Sequence, residues 1–102
     1  MSVHRYSAKR DANETELVEV LEALGCSVDR IPGGSGRPDL QVGFRGHDFR
    51  IEVKMPGEKL LPLQKKYHAE WKGQPIHVAF TVQQIIEIVH GYRRRIVPCP
   101  TK

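Results

Sequence analysis

The chain has 102 residues, of which 39% are hydrophobic and 27% are charged, and it carries a formal net charge of +4. This length and mixture suit one compact domain with its own apolar core. No apolar run approaches the ~20 residues that a membrane span needs, and the positive charge favours a polyanionic partner. The first residues lack a hydrophobic signal segment, and Cys26 and Cys99 are isolated. We therefore expect free thiols and a cytoplasmic protein.

The first predicted helix begins near Asp11 or Asn13, either of which is a plausible N-cap, and ends at Gly25. Residues 1–12 are expected to form a flexible basic segment. The apolar stripe of this helix consists of Leu17, Val18, Leu21 and Leu24. Glu14 shares the spacing of that stripe. It therefore either meets a partner in the interior or lies in the first turn, where it complements the helix dipole.

A short strand is expected over residues 27–31, followed by the loop "PGGSGRP" at 32–38. Three glycines and two prolines break regular structure here. The loop is not a phosphate-binding P-loop, because no Gly-Lys-Ser/Thr follows it. It is either a plain connector or a mobile loop that lies on a ligand.

The stretch "PDLQVGFRGHDFRIEVK", residues 38–54, predicts a β-hairpin with its turn at Gly46-His47. Side chains alternate between the two faces of a sheet, so six apolar residues share one face and pack on a core. These six are Leu40, Val42, Phe44, Phe49, Ile51 and Val53.

The opposite face of this hairpin gathers Asp39, Glu52 and Lys54. In the predicted register Asp39 lies across from Lys54 and diagonal to Glu52. Diagonal neighbours are about 7–8 Å apart, so the two carboxylates can converge on one cation. The alternative is an ordinary polar sheet face with a surface ion pair.

Two further helices and a strand are predicted after the hairpin. Pro62 begins a helix that runs to about Lys72, and its inward stripe is Leu63, Tyr67 and Trp71, which we interpret as core residues rather than base-stacking platforms. Residues 76–80 form a strand. Thr81 and Gln84 then form the capping box of a third helix that ends at Gly91, and residues 92–102 are a basic tail. The predicted fold class is α/β (α+β, with a mixed sheet) in the order αβββαβα.

Pro38-Asp39 followed by Glu52-Val53-Lys54 resembles the motif of the PD-(D/E)XK nucleases. The helix order, the short length and Gln64 are most similar to the small VRR-NUC-type nucleases of phages and bacteria. The resemblance spans residues 13–91, although "HVAFTVQQ" stands where that subfamily has its VRR triplet. It implies a single restriction-endonuclease-like domain.

The resemblance also implies roles for individual residues. Asp39 and Glu52, with the main-chain carbonyl of Val53, would hold Mg²⁺ or Mn²⁺, whose preferred ligands are hard oxygens. Lys54 would position or deprotonate the attacking water. The implied catalytic set is Glu14, Asp39, Glu52, Lys54 and Gln64.

The activity that follows is metal-dependent endonucleolytic hydrolysis of DNA, with branched or junction DNA among the candidate substrates, in a bacterial or phage-infected host cell. The residues expected to contact DNA are Lys9, Arg10, Arg37, Lys65 and Lys66. A homodimer is expected, because two-fold symmetry suits cutting of both strands. The alternatives are a non-catalytic nucleic-acid-binding module with the same fold and a protein-interaction subunit. No structural zinc site is expected, because the five histidines show no paired spacing.

Overall fold

The described part of the chain forms three helices and a four-stranded sheet in the order αβββαβα, as predicted. The structure is a computed structural model, and it describes the backbone of residues 3–94 and the side chains of residues 10–94. The helices are α1 (Val3–Ala23), α2 (Pro62–Glu70) and α3 (Val82–Arg93). The strands are β1 (Ser27–Arg30), β2 (Leu40–Phe44), β3 (His47–Val53) and β4 (His77–Ala79).

The sheet is mixed, with the strand order β1-β2-β3-β4. The first three strands are antiparallel neighbours, whereas β4 runs parallel to β3. A parallel pair needs a crossover connection, and the segment that contains α2 supplies it. Helices α1 and α3 pack against each other on the apolar side, where Leu17, Leu21, Ile85 and Val89 join the core of the sheet. None of the helices in the described residues is long and apolar enough to cross a membrane.

Helix α1 starts at Val3, so the predicted start at Asp11 or Asn13 is wrong. No glycine or proline interrupts the chain before Gly25, and residues such as Ala8 favour a helix, so nothing forces a start at the later polar residues. The predicted end at Gly25 is confirmed. Gly25 takes a φ of 98°, and the next amide, of Cys26, donates to the Leu21 carbonyl at 3.0 Å, which closes the helix.

The hairpin turn is Arg45-Gly46 rather than Gly46-His47. Both residues have positive φ, 49° and 86°, which is the backbone of a type I′ turn. Leu40 therefore pairs with Ile51, two residues away from the predicted register. Because a shift of two residues preserves the alternation of faces, all six apolar hairpin residues are buried as predicted.

Helix α2 begins at Pro62 as predicted, but it ends at Glu70 and buries none of its residues. The predicted inward stripe is wrong: Leu63 is 61% exposed and Trp71 is 37% exposed, while Tyr67 is half-buried. The helix meets the polar face of the sheet through hydrogen bonds. Its Tyr67 hydroxyl, for example, accepts from Arg50 of β3 at 2.7 Å.

Helix α3 has the predicted capping box, because the amide of Gln84 donates to Thr81 Oγ1 at 3.2 Å. The helix passes through Gly91 instead of ending there and buries Tyr92 to 2% exposure. A glycine inside a helix costs only about 1 kcal/mol, which the burial of a tyrosine ring offsets. The predicted basic tail at 92–102 therefore does not begin at Tyr92; residues 95–102, including Cys99, lie outside the described part.

We predict that Gly36→Ala destabilises the protein by about 1–3 kcal/mol, because alanine is strained at positive φ and its methyl group meets backbone. Gly36 has a φ of 78°, and a Cβ there would lie 2.2 Å from the carbonyl oxygen of Leu63. The measurement is the midpoint of urea unfolding. Gly33→Ala is the matched control, since a Cβ at Gly33 meets nothing within 4 Å. Equal midpoints for the two variants would contradict this packing of the loop on α2.

Candidate active site

Asp39 occupies the entrance to β2 and is held from both sides. Its carbonyl accepts from the Ile31 amide at 2.8 Å, and its own amide donates to the Ile51 carbonyl at 3.1 Å. Its side-chain Oδ2 accepts from the Val53 amide at 2.7 Å. Three hydrogen bonds therefore fix both the backbone and the carboxylate of Asp39, and the buried ring of Pro38 precedes it.

Glu52 lies close to Asp39, since a hydrogen bond to Asp39 and the charge of Asp39 both act on the Glu52 carboxyl group. Asp39 immediately precedes β2, whose first residue, Leu40, pairs with Ile51, the neighbour of Glu52. The predicted diagonal placement of Glu52 used a register that differs from this one by two residues. Glu52 is only 1% exposed, so its carboxyl group lies beneath the surface while that of Asp39 is half-buried.

These surroundings change the protonation of Glu52. Burial raises the pKa of Glu52 to about 8, and a hydrogen bond to Asp39 and the negative charge of Asp39 act in the same direction. The charges of Lys54 and Arg10 oppose this rise in pKa. Glu52 therefore holds a proton at neutral pH beside Asp39, as expected of two carboxyl groups that share a site.

Lys54 follows the end of β3 and is 2% exposed. Its amide donates to the Ala79 carbonyl of β4 at 3.0 Å, which extends the pairing of these strands. The predicted position of Lys54 across from Asp39 is wrong, because the register differs by two residues. The ammonium group nevertheless lies near the acids, since its charge lowers the pKa values of both Glu52 and His68.

Helix α2 brings Gln64 onto Glu52. The side-chain oxygen of Gln64 accepts from the Leu61 amide at 2.8 Å, which caps the helix, and its Nε2 donates to Glu52 Oε2 at 3.3 Å. The sequence-based placement of Gln64 near the acids thus agrees with the structure. The Gln64 side chain therefore caps the start of α2 and also orients the buried carboxyl group of Glu52.

His68 is a member of this cluster that the sequence analysis missed. Its Nε2 lies 3.6 Å from Glu52 Oε1, and burial, followed by the charge of Lys54, lowers its pKa. The histidines were considered only as zinc ligands. The helical spacing indicates that His68 lies near Gln64, because it is four residues after Gln64 and so lies on the same face of α2.

Glu14 reaches the same region from α1. It is half-buried and forms an ion pair with Arg30. Burial is the main cause that raises its pKa, the charge of Asp39 adds to this, and Arg30 lowers it. The alternative placement in the first turn is wrong, because α1 starts at Val3. Glu14, Asp39 and Val53 line one cleft of about 130 Å³.

Among the residues expected to contact DNA, Arg10 lines this cleft and pairs with Glu58 at 3.2 Å. Arg37 is exposed on the glycine loop, and Lys65 and Lys66 are exposed on α2. The side chain of Lys9 lies outside the described residues. These cations therefore lie on three separate elements.

The oxygen atoms of this cluster fit a hard divalent cation. Glu52 Oε1 is buried without a hydrogen-bond partner, and it lies beside Asp39. Magnesium is commonly held by one or two carboxylates while it keeps several waters, so the pair of acids is a sufficient protein contribution. Within the described residues, no group of three or more His, Cys, Asp and Glu side chains is arranged to hold a metal ion.

Fold and site together define a small α+β protein with two neighbouring carboxyl groups at the end of a β-hairpin, next to a buried lysine. No family model, curated protein or solved structure matches the chain.

We predict that Glu52→Gln stabilises the protein at pH 8 by about 1–3 kcal/mol, because it removes a buried carboxylate that is incompletely paired. The pKa of Glu52 rises from 4.5 to about 8 on folding. The folded state thus binds the proton more tightly, and stability falls as the pH rises through this interval.

The test compares urea unfolding of the wild type and of Glu52→Gln at pH 5 and pH 8 in EDTA, so that no divalent cation contributes. Glu19→Gln, at an exposed position of α1, is the control. The wild type should lose more stability between the two pH values than Glu52→Gln does. The same pH dependence in both proteins would contradict the assignment of this titration to Glu52.

Proposed function

We propose that the chain is a metal-dependent phosphodiesterase of the PD-(D/E)XK type that hydrolyses DNA. The observation that supports this best is the closeness of the Asp39 and Glu52 carboxyl groups at one end of the hairpin, with Lys54 directly after the strand that holds Glu52. Two acids and an amine at one end of a hairpin are the groups that metal-assisted hydrolysis of a phosphodiester requires.

The metal would be held by Asp39, Glu52 and the carbonyl of Val53. The amide of Val53 already donates to Asp39, and the N–H and C=O groups of one strand residue point to the same edge, so this carbonyl is directed toward Asp39. When bound, Mg²⁺ or Mn²⁺ supplies a Lewis acid for the phosphate and lowers the pKa of a bound water.

The other residues act on these ligands. Gln64 donates a hydrogen bond to Glu52 Oε2 and orients this carboxyl group, while His68 Nε2 lies 3.6 Å from Oε1 without a hydrogen bond between them. The ammonium of Lys54 lies near Glu52, where it offsets negative charge that develops during attack. Glu14 adds a third acid at the cleft and is balanced by Arg30.

The proposed substrate is DNA, because the net charge is +4, Arg10 lines the cleft, and Arg37, Lys65 and Lys66 are exposed. Their contacts would be to phosphates, which position a strand without reading its sequence. A homodimer, which would place two such sites on one duplex, is part of this proposal.

A second candidate function is a nucleic-acid-binding module without catalysis. It is favoured by the burial of Glu52 and Lys54, at 1% and 2% exposure, because a catalytic amine must reach the reacting atoms. The cleavage experiment below separates the two.

We predict that the purified protein cuts DNA with Mg²⁺ and not with EDTA, and that Asp39→Asn and Lys54→Met each lower the rate by at least about 10²-fold. Methionine fills most of the space of the buried lysine, so the fold is retained and can be checked by circular dichroism. Lys59→Met, at an exposed position, is the matched control.

The assay uses linear, flap and junction DNA, and it measures initial rates. Metal-dependent cutting that survives in both site variants would overturn the residue assignment. DNA retention without any cutting by the wild type would favour the non-catalytic module.

We also predict that millimolar Mg²⁺ or Mn²⁺ raises the melting temperature of the wild type but not of Asp39→Asn. A ligand that binds only the folded state stabilises it by RT ln(1 + [L]/Kd), about 2.7 kcal/mol at a hundred times Kd. Asp29→Asn, at an exposed position of β1, is the control. An equal shift in Asp39→Asn would place the cation elsewhere.

A further inference from the structure

A groove of about 560 Å³ opens beside the acids, between the glycine loop at residues 33–37 and the start of α2. Two leucines of its α2 wall, Leu61 and Leu63, are each 61% exposed. Apart from Trp71, no other large apolar side chain of the described residues is exposed. Apolar walls of this kind favour a ligand with an apolar face.

The groove is continuous with the acidic site. Asp39 and Gln64 line it as well as contacting the cluster around Glu52. An occupant of the groove therefore lies next to the proposed metal ligands. The volume falls in the range of about 300–1,000 Å³ that is typical of small-ligand clefts.

The groove also continues away from the acids. A second depression of about 270 Å³ shares Ser35 and Leu63 with it and reaches Lys66 and Tyr67. Arg37 lies on the first groove, so a cation is present at each end of the apolar wall. This alternation of positive charge and apolar surface matches a chain that alternates phosphates with bases.

The walls of the groove are fixed in position. Gly36 packs against the Leu63 carbonyl so closely that a Cβ would not fit, and the Arg37 amide donates to the Gly34 carbonyl at 3.1 Å. The shape of the groove therefore exists before a ligand binds, and little ordering of the protein opposes binding.

We infer that this groove binds one unpaired nucleobase of a single-stranded nucleic acid, with the adjoining phosphate next to the cation that Asp39 would hold. In a duplex the two faces of each base are covered by stacking, so only an unpaired base can present them to Leu61 and Leu63. The inference rests on the proposed function, and it makes single strands, flaps and frayed ends the preferred substrates.

The exposed ring of Trp71 is the obvious rival platform for a base. The Arg50 guanidinium lies 4.0 Å from the centre of this ring, and the Tyr67 ring stacks on it at 5.6 Å. The indole is thus engaged within the protein, which is why the groove is preferred over it.

The test measures binding in EDTA, so that no strand is cut. Fluorescein-labelled oligothymidylate and a strand of equal length built from abasic residues are titrated with protein at low salt, and anisotropy is followed. The wild type should bind the strand with bases about tenfold more tightly, a difference of about 1.4 kcal/mol. In the double variant Leu61→Ser/Leu63→Ser this preference should disappear while the affinity for the abasic strand is unchanged.

Both leucines are exposed, so the double variant keeps its fold, which circular dichroism verifies. Trp71→Ala is the control and should keep the tenfold preference. Equal affinity of the wild type for both strands, or loss of the preference in Trp71→Ala alone, would overturn the inference. Base-dependent binding without Mg²⁺-dependent cutting would overturn the nuclease proposal and leave the base site standing.

Discussion

The hydrogen bond from the Val53 amide to the Asp39 carboxylate is the constraint on which the site depends. Here the Asp39 side chain, rather than a main-chain carbonyl, accepts the hydrogen bond that would otherwise continue the pairing of β2 and β3. The amide of Asp39 donates to the Ile51 carbonyl. The backbone of Asp39 is therefore bonded to β3 at Ile51, while its side chain is bonded to β3 at Val53. Its carboxylate therefore cannot swing away from the neighbouring strand, and it lies close to Glu52.

That arrangement requires compensation, because Glu52 and Lys54 are almost fully buried. Buried ionisable groups are costly unless they are paired or hydrogen-bonded. Helix α2 provides Glu52 with one hydrogen bond, from Gln64, and places His68 Nε2 3.6 Å from the other oxygen of Glu52, which has no hydrogen-bond partner. This explains why α2 buries no apolar side chain: the surface that it covers is polar.

The attachment of α2 comes instead from a polar bridge farther along the helix. The guanidinium of Arg50 donates to Gln41 at 2.9 Å and to the Tyr67 hydroxyl at 2.7 Å, and it lies over the Trp71 ring. The glycine loop adds a close backbone contact at the other end of the helix. Helix α2 is thus held at both ends and can act as a polar cover over the acids.

The sequence predicts the site better than it predicts the details of the fold, and the reason is the period of the β-strand. Any shift of two residues keeps Asp39, Glu52 and Lys54 on one face, so the grouping survived a wrong register. The register itself depended on the turn. A Gly-X pair suits a type II′ turn, whereas arginine at the first position of a type I′ turn is unusual and gave no signal.

Other features could not be obtained from local patterns. The stripe Leu63, Tyr67 and Trp71 has helical spacing, yet spacing alone does not say whether a helix faces a core or a polar sheet surface. The helical spacing places His68 on the same face of α2 as Gln64, but only the position of α2 over Glu52 shows what that face contacts. Both features depend on how α2 packs on the sheet, which local sequence patterns do not contain.

The observed register also changes which charged side chains lie close together at the site. The predicted pairing of Asp39 with Lys54 would have joined opposite charges, which is an ordinary stabilising contact. In the structure Asp39 instead lies close to Glu52, so two acids meet in a buried place, and burial together with this repulsion raises the pKa of Glu52 to about 8. Neighbouring carboxyl groups destabilise a fold unless a proton or a cation lies between them. A groove leads to Asp39 from the surface, so in the proposed nuclease a cation would replace that proton, and an arrangement unfavourable to folding would serve metal-dependent chemistry.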